Sequence, residues 1–413
     1  MKKEEFYREA RSDMTGPLQG VRVLEATTSQ AGPIAGTVLA DLGANVIKID
    51  LPEMGDIMRH LPPFIEGAPK LNSSCYHLSI NRNKKNISLA INRPAGQEVF
   101  RKLAAKMDVI VQNFKPGTMD KWGLGYEAIK KIKPDIVYVS VSGFGQFGPN
   151  HQKPGYDPVG QAIGGLMNVN GYADGPPTRT GNAMADNITG WQGAIGALAA
   201  LHHRQMTGEG QHVDVCLVDS ILYTSDYGVM AASNAGFNWK RMGSGNPAGG
   251  PCDVYRCKDG YVFILVLIDS HHKRFWPLIG RPELYQDPRM QTPVARAQNL
   301  PFINQVVGEW TQDKTVEEVV RQLEEAQLVV TPIFDFPQIV RNEHLREREM
   351  VTEVEYPDVG KLTIYGVAAK FSRTPCKVRT HAPAIGQHNE EVFGELLDLG
   401  AEELAQLQQG KII

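Results

Sequence analysis

One aspartate in the chain stands where a carboxylate could act as a nucleophile. Asp186 lies in the run Thr180-Gly-Asn-Ala-Met-Ala-Asp186-Asn-Ile-Thr-Gly190, between the turn-rich Gly171–Pro177 and a small-residue stretch from Trp191 to His203. That stretch reads as a helix, so Asp186 is expected in the last residues before a helix N-terminus. Unpaired N–H groups and the helix dipole would hold its carboxylate ionised at neutral pH. Spacing alone leaves two readings open. One is an N-cap; the other is a nucleophile whose small neighbours leave room for a substrate. The five cysteines (Cys75, Cys216, Cys252, Cys257, Cys376) are odd in number and scattered, which suits reduced thiols of a cytoplasmic protein. No second cysteine pair or nearby histidine gives Cys252 and Cys257 a zinc pattern. The doublets His202-His203 and His271-His272 read as helix surface or packing residues rather than ligands.

The elements that must position Asp186 follow a regular alternation. Val21–Glu25 reads as a strand, Ile34–Leu42 as a helix opened by Pro33 and closed by Gly43, and Val46–Asp50 as the next strand. Strand Ile87–Leu89, helix Pro94–Lys106, strand Val109–Gln112, helix Tyr126–Lys131 and strand Ile136–Ser140 continue it. Repeated βαβ units imply right-handed crossovers and a parallel sheet, hence a doubly wound, Rossmann-like α/β domain. Asp50 ends the second strand, where dinucleotide enzymes place an acid for the ribose. The turn Ala31-Gly-Pro-Ile-Ala-Gly36 lacks two features of the dinucleotide glycine pattern, so NAD is not expected. Val213–Val218 reads as a strand or helix leading out of this domain. Tyr223 to about Pro251 loses periodicity and reads as a linker. A hairpin (Val254–Cys257, Tyr261–Val266) and helices at His271–Ile279 and Thr315–Gln327 suggest a smaller α+β domain. A second hairpin (Val351–Glu355, Lys361–Tyr365) and an amphipathic helix near Glu390–Leu397 close the chain. The expected organisation is a first part of the large domain over 1–220, linkers and small domain over 221–334, and a returning segment over 335–413.

Composition is that of an ordinary enzyme-sized globular chain, with 413 residues, 42% hydrophobic and 22% charged. A net charge of −3 gives no reason to expect nucleic acid or an anionic membrane as partner. The charged start Met1–Arg11 has no apolar signal core, and no run approaches the roughly 20 apolar residues of a membrane span.

Taken in order, the motifs resemble CoA-transferase family III, nearly end to end. They are Pro17–Leu24, Ala31-Gly-Pro33, Leu42–Lys48, Gly55-Asp56, Asn81–Lys85, Asn113-Phe-Lys-Pro-Gly117, Ser142-Gly-Phe-Gly145, Ala185-Asp186, Thr207–Gly210, Ala382–Gly386 and His388–Val392. The resemblance implies that Asp186 is the catalytic nucleophile, passing through an aspartyl–acyl anhydride and an aspartyl-CoA thioester. Gln30 would offer an amide N–H to an oxyanion. Ala31, Lys84, Lys85, Asn113, Phe114, Lys121 and Phe144 would contact CoA. Gly243, Gly245, Gly249 and Gly250 would form a glycine-rich flap over the site. The implied substrates are an acyl-CoA and a carboxylic acid, with no metal or further cofactor, in an interlaced homodimer. Two departures stand out: formyl-CoA transferase carries arginines where this chain has Leu51-Pro52, and a lysine where it has Ser142. Gly249–Gly260 looks closer to the carnitine- and bile-acid-type members. The alternatives are an α-methylacyl-CoA racemase and a non-catalytic acyl-CoA-binding protein. Racemases of this superfamily carry a histidine in a Gly-His-Asp motif where Gly155-Tyr156-Asp157 stands. A phenol, ordinarily of pKa about 10, is a poor base at neutral pH. His151, five residues earlier in an exposed-looking turn, does not match that position.

Overall fold

The computed structural model describes residues 1–246, 249–357 and 359–413. Two compact units emerge, one of residues 1–165, 181–226 and 343–413, the other of 166–180 and 227–342.

The first unit is built on a six-stranded sheet. Its elements in chain order are β1 (Arg22–Ala26), α1 (Ala31–Asp41), β2 (Asn45–Asp50), β3 (Lys85–Ser88), α2 (Pro94–Ala104) and β4 (Val109–Gln112). Then come α3 (Tyr126–Ile132), β5 (Val137–Ser142), α4 (Asp157–Ile163), α5 (Met184–Thr207), β6 (His212–Cys216) and α6 (Leu217–Leu222). The strands run parallel in the order β3-β2-β1-β4-β5-β6. This is the expected α/β sheet, extended by β6, which the sequence left undecided between strand and helix. Helix α4 has no counterpart in the sequence reading.

Side chains alternate across the sheet, as a period of two requires. Leu24, Ile47, Ile49, Ile87 and Ile110 face one side, where they pack with Phe100 and Leu103 of α2, Ile129 of α3 and the C-terminal Phe393 and Ile412. The other side is covered by α1 and α5. Gly190 of α5 lets them meet closely, since a Cβ there would lie 2.5 Å from Ile34 Cγ2 and 2.8 Å from the Ala31 carbonyl oxygen.

The second unit holds an antiparallel sheet of β7 (Cys252–Arg256), β8 (Tyr261–Leu265) and β9 (Val329–Pro332). Its core is Phe275, Trp276, Ile303, Val307, Val319 and Leu323, from the helices between β8 and β9. Residues 166–180 join it because the Arg241 guanidinium donates to the carbonyls of Asn168 (3.3 Å) and Gly175 (3.0 Å), and Gly243 N–H donates to the Gly171 carbonyl (2.9 Å). Residues that the sequence reading assigned to the first domain thus pack with the second unit. Gly228–Ala235 is helical inside the stretch read as linker. Back in the first unit, β10 (Val351–Tyr356) and β11 (Gly360–Tyr365) pair as the expected hairpin. Glu390–Leu396 is a π-helical turn and is followed by a further helix, Ala401–Gln409. Among the described residues, no helix is long and apolar enough to cross a membrane.

Replacing Gly190 by Val should cost about 1–3 kcal/mol, because the added bulk meets a backbone carbonyl that cannot turn aside. Urea unfolding would measure it. A variant as stable as the parent would show that α1 and α5 can separate freely.

Candidate active site

In the strand order 3-2-1-4-5-6, the connections on either side of β1 and β4 leave in opposite directions, and a crevice opens past their C-terminal ends. A cavity of about 310 Å³ lies there. Its walls are the segments that follow β1 (Thr28–Ala31) and β4 (Asn113–Pro116), the end of β5 (Val141, Ser142) with Gly143, and His151, residues 153–156 and Asp186. The site is therefore a consequence of topology, made within the first unit.

The first two segments are laced together. Asn113 Nδ2 donates to the Thr28 carbonyl (2.7 Å), and Thr28 N–H donates back to Asn113 Oδ1 (2.9 Å). Asp56, buried behind them, accepts from Thr28 Oγ1 (3.2 Å) and Ser29 N–H (3.0 Å) through Oδ1. Ser29 is held at φ 68°, a left-handed conformation that costs a non-glycine residue about 1 kcal/mol or more. That bend delivers Gln30 to the start of α1, where its Nε2 donates to Asn187 Oδ1 (3.0 Å). One amide hydrogen of Gln30 is left for another acceptor. Phe114 N–H is fixed by Gln112 Oε1 (2.8 Å), and the Phe114 ring meets Trp122 edge-on at 5.2 Å. Gly143 and Gly155 touch through their backbones: a Cβ on Gly143 would lie 2.6 Å from Gly155 Cα.

Asp186 does not precede its helix, as the sequence suggested, but sits within its first turn, since α5 begins at Met184. The side chain of the N-cap residue, Ala183, can accept no hydrogen bond. Instead Asp157, on α4, accepts from Ala185 N–H (2.8 Å) and Asp186 N–H (3.4 Å) through Oδ1. Nor is Asp186 the freely ionised carboxylate expected of a helix N-terminus. Burial, and then the charge of Asp157, push its pKa up to about 7.

The structure brings Asp186, Gln30, Ala31, Asn113 and Phe114 to one cavity, as the sequence reading grouped them. Other expected CoA contacts lie elsewhere. Lys84 is no exposed cation: its Nζ is buried against Glu25 Oε2 (2.8 Å) and donates to the carbonyls of Pro33 (2.8 Å) and Ile80 (3.0 Å). Lys85 opens β3, at the end of the sheet away from the cavity, and pairs with Glu391. Lys121 and Phe144 do not line the cavity. Gly243, Gly245, Gly249 and Gly250 belong to the second unit. There Gly243 lies against the Tyr172 ring and Gly249 against Arg296. Residues 247 and 248 of the expected flap lie outside the described residues.

The cavity also holds residues that the sequence reading did not assign to the site. Lys115 and Lys153 line it, as do Tyr156 and His151, the last set aside as part of an exposed turn. The signal for Lys115 was its place directly after Asn113 and Phe114. Nothing local marked His151 or Lys153, which reach the cavity only because Gly143 and Gly155 let two loops meet.

Comparison with known proteins shows what the chain as a whole is similar to. The model of CoA-transferase family III matches residues 18–389. The chain is 34% identical to a succinyl-CoA–D-citramalate CoA-transferase of Chloroflexus aurantiacus, over 96% of this chain and 98% of that protein. It is 37% identical to a formyl-CoA:oxalate CoA-transferase of Streptomyces avermitilis, covering 97% of this chain and 100% of the relative. A crystal structure of a CAIB/BAIF family protein from Brucella suis superposes with a TM-score of 0.83 at 32% identity, covering 92% of this chain and all of the other.

The raised pKa of Asp186 has a stability consequence. The folded chain holds this proton up to about pH 7, whereas an unfolded aspartate releases it near pH 4. The group therefore costs nothing below about pH 4, and its cost grows until about pH 7. Asp186→Asn should stabilise the protein by up to about 4 kcal/mol at pH 8 and hardly at all at pH 4. Thermal unfolding at the two pH values checks this. Equal effects at both would mean that the carboxylate is not strained in its ionised form.

Proposed function

The chain belongs to CoA-transferase family III and is an acyl-CoA:carboxylate CoA-transferase, and from that premise we propose how its residues move CoA between acids. One observation carries the reading: Asp186, the carboxylate lining the cavity, is half-buried beside Gln30 at the ends of β1 and β4. In the proposed path the ionised Asp186 attacks the donor thioester carbonyl, and the C–S bond breaks to leave an aspartyl–acyl anhydride and CoA thiolate. The thiolate attacks the Asp186 carbonyl of that anhydride, giving an aspartyl-CoA thioester and the free donor acid. The acceptor carboxylate then attacks this thioester, releasing CoA thiolate and forming a second anhydride. Thiolate attack on the acceptor acyl carbon completes transfer and restores Asp186. Each addition develops an oxyanion, and the free amide hydrogen of Gln30 is the donor we assign to it. Gly243, Gly245, Gly249 and Gly250 retain the proposed role of a flap.

For substrates we propose short acyl-CoA donors such as succinyl-CoA and small dicarboxylic acceptors. Relatives named for D-citramalate, mesaconate, L-malate and oxalate support this choice. So do Lys115, His151 and Lys153 around the cavity, which suit a substrate bearing a second carboxylate.

Asp186→Ala should lower transfer by at least about a thousandfold while leaving CoA affinity nearly unchanged, since the lost group acts only in the chemistry. Parent enzyme incubated with succinyl-CoA alone should carry an acyl or CoA adduct on the Asp186 peptide, seen by mass and cleaved by hydroxylamine. Near-parental transfer by the variant, or an adduct on another residue, would remove Asp186 from the mechanism.

We propose further that two chains interlace as a homodimer. Ile163, Trp191, Ile195 and Tyr223 of the first unit are exposed in the single chain, an apolar surface suited to a second copy. An interlaced pair would bury far more than the roughly 1,600 Å² of a standard interface and would not dissociate without unfolding. Sedimentation on dilution tests this. A folded monomer of 45.5 kDa would contradict it.

A further inference from the structure

Asp157 is a second carboxylate beside Asp186, and it does not line the cavity. It is buried at the start of α4, with 6% of its surface exposed. Each of its oxygens has a defined partner. Oδ1 accepts from Ala185 N–H (2.8 Å) and, more weakly, from Asp186 N–H (3.4 Å). Oδ2 accepts from Gln161 Nε2 (2.8 Å), one helical turn further along α4. The carboxylate thus caps α5 from a different helix, while Ala183, the residue in the N-cap position, offers no side-chain acceptor. Tight packing leaves this contact little play: a Cβ on Gly160 would lie 2.8 Å from both the Ala185 and Leu217 Cβ atoms.

We infer that Asp157 is a positioning residue for Asp186: it fixes the first turn of α5 and keeps a second negative charge beside the reacting carboxylate. The inference rests on the reading of Asp186 as nucleophile. A simple cap would be served as well by an uncharged acceptor such as serine or asparagine. A buried aspartate adds a charge that opposes ionisation of Asp186, acting in the same direction as burial. The two effects together make Asp186 a more basic carboxylate than an exposed one, and a more basic carboxylate is a stronger nucleophile once ionised. The other titratable or charged groups around the cavity are Lys115, His151, Lys153 and Tyr156. Of these and Asp157, only Asp157 acts on Asp186 to raise its pKa.

The position and the charge separate experimentally. Asp157→Asn keeps an oxygen that can accept from the same N–H groups but removes the charge, whereas Asp157→Ala removes both. The probe is succinyl-CoA with a dicarboxylic acceptor, and the readout is kcat/KM from pH 5 to 9. In the parent, activity should rise with pH to an inflection near 7, where Asp186 ionises. Asp157→Asn should move that inflection down by about half a unit or more and lose less activity than the alanine variant. Asp157→Ala should also lose about a hundredfold at all pH values, the scale expected for a misplaced reacting group. The shift should persist in a His151→Gln background, which excludes titration of His151 as its source. Should the asparagine variant fail to fold, Asp157→Ser, a smaller uncharged acceptor, carries the same expectation. An unmoved or raised inflection in the folded uncharged variant would overturn the inference, as would equal losses in the asparagine and alanine variants. Transfer that survives Asp186→Ala would instead overturn the nucleophile reading itself, so the two failures are distinguishable.

Discussion

The cavity depends on a cluster of buried charges behind the first βα turn. Lys48, on β2, lies 3.2 Å from Glu25 Oε1 of β1 and 3.0 Å from Asp56 Oδ2, and donates to the Thr27 carbonyl at 2.8 Å. Lys84 meets the other oxygen of Glu25, and Arg59 pairs with Asp50 at 2.8 Å. All six side chains are buried. Glu25, Lys48 and Asp50 lie on the face of the sheet opposite Leu24, Ile47 and Ile49, so period-two alternation places the charges beneath α1. Gly36 of α1 accommodates them: a Cβ there would lie 1.8 Å from Glu25 Oε2.

An apolar filling of the same volume would hold β1, β2 and α1 together about as well, because desolvating ions offsets much of their attraction. What it would not do is aim a hydrogen-bond acceptor. Asp56 is fixed by Lys48 on one oxygen and uses the other to hold Thr28 and Ser29, which keeps Ser29 in its left-handed bend and Gln30 at the cavity. The ion cluster therefore converts the register of two strands into the position of a loop. Its members differ in protonation behaviour. Burial drives the pKa of Lys84 down to about 8 in spite of Glu25, whereas for Lys48 burial is outweighed by Asp56, Glu25 and Asp50, which raise it.

The same cluster explains where sequence reasoning succeeded and where it stopped. Strands β1, β2, β4 and β5 and helices α1 and α2 were legible within a few residues, because each carries its own apolar pattern and its own glycine or proline punctuation. Asn113 and Phe114 came from the family resemblance, and the fold places them directly after β4, where a parallel strand delivers its next residues to the switch point. In Asn81-Arg-Asn-Lys-Lys85 the composition of a solvated surface conceals buried charges. Their partners lie far away in sequence: Glu25 for Lys84, and Asp41 for Arg82, whose guanidinium donates to it at 2.6 Å and 3.2 Å. Polar composition cannot distinguish a charge that faces water from one that faces a buried carboxylate.

The start of α5 is a second case of distant control. A reading by local caps finds no acceptor in Ala183 and no strong helix signal before Trp191, and so begins the helix late. Asp157 supplies the missing cap from another helix, which extends α5 back to Met184 and brings Asp186 inside its first turn. The change of place alters the chemistry. A carboxylate in the first turn is favoured as an anion by the helix dipole by about 0.3–1 kcal/mol. Burial and the neighbouring Asp157 act against this and prevail, raising the pKa of Asp186 to about 7. A carboxylate held there is more basic than an exposed one and still able to ionise near neutral pH, a balance that neither the dipole nor burial would produce alone.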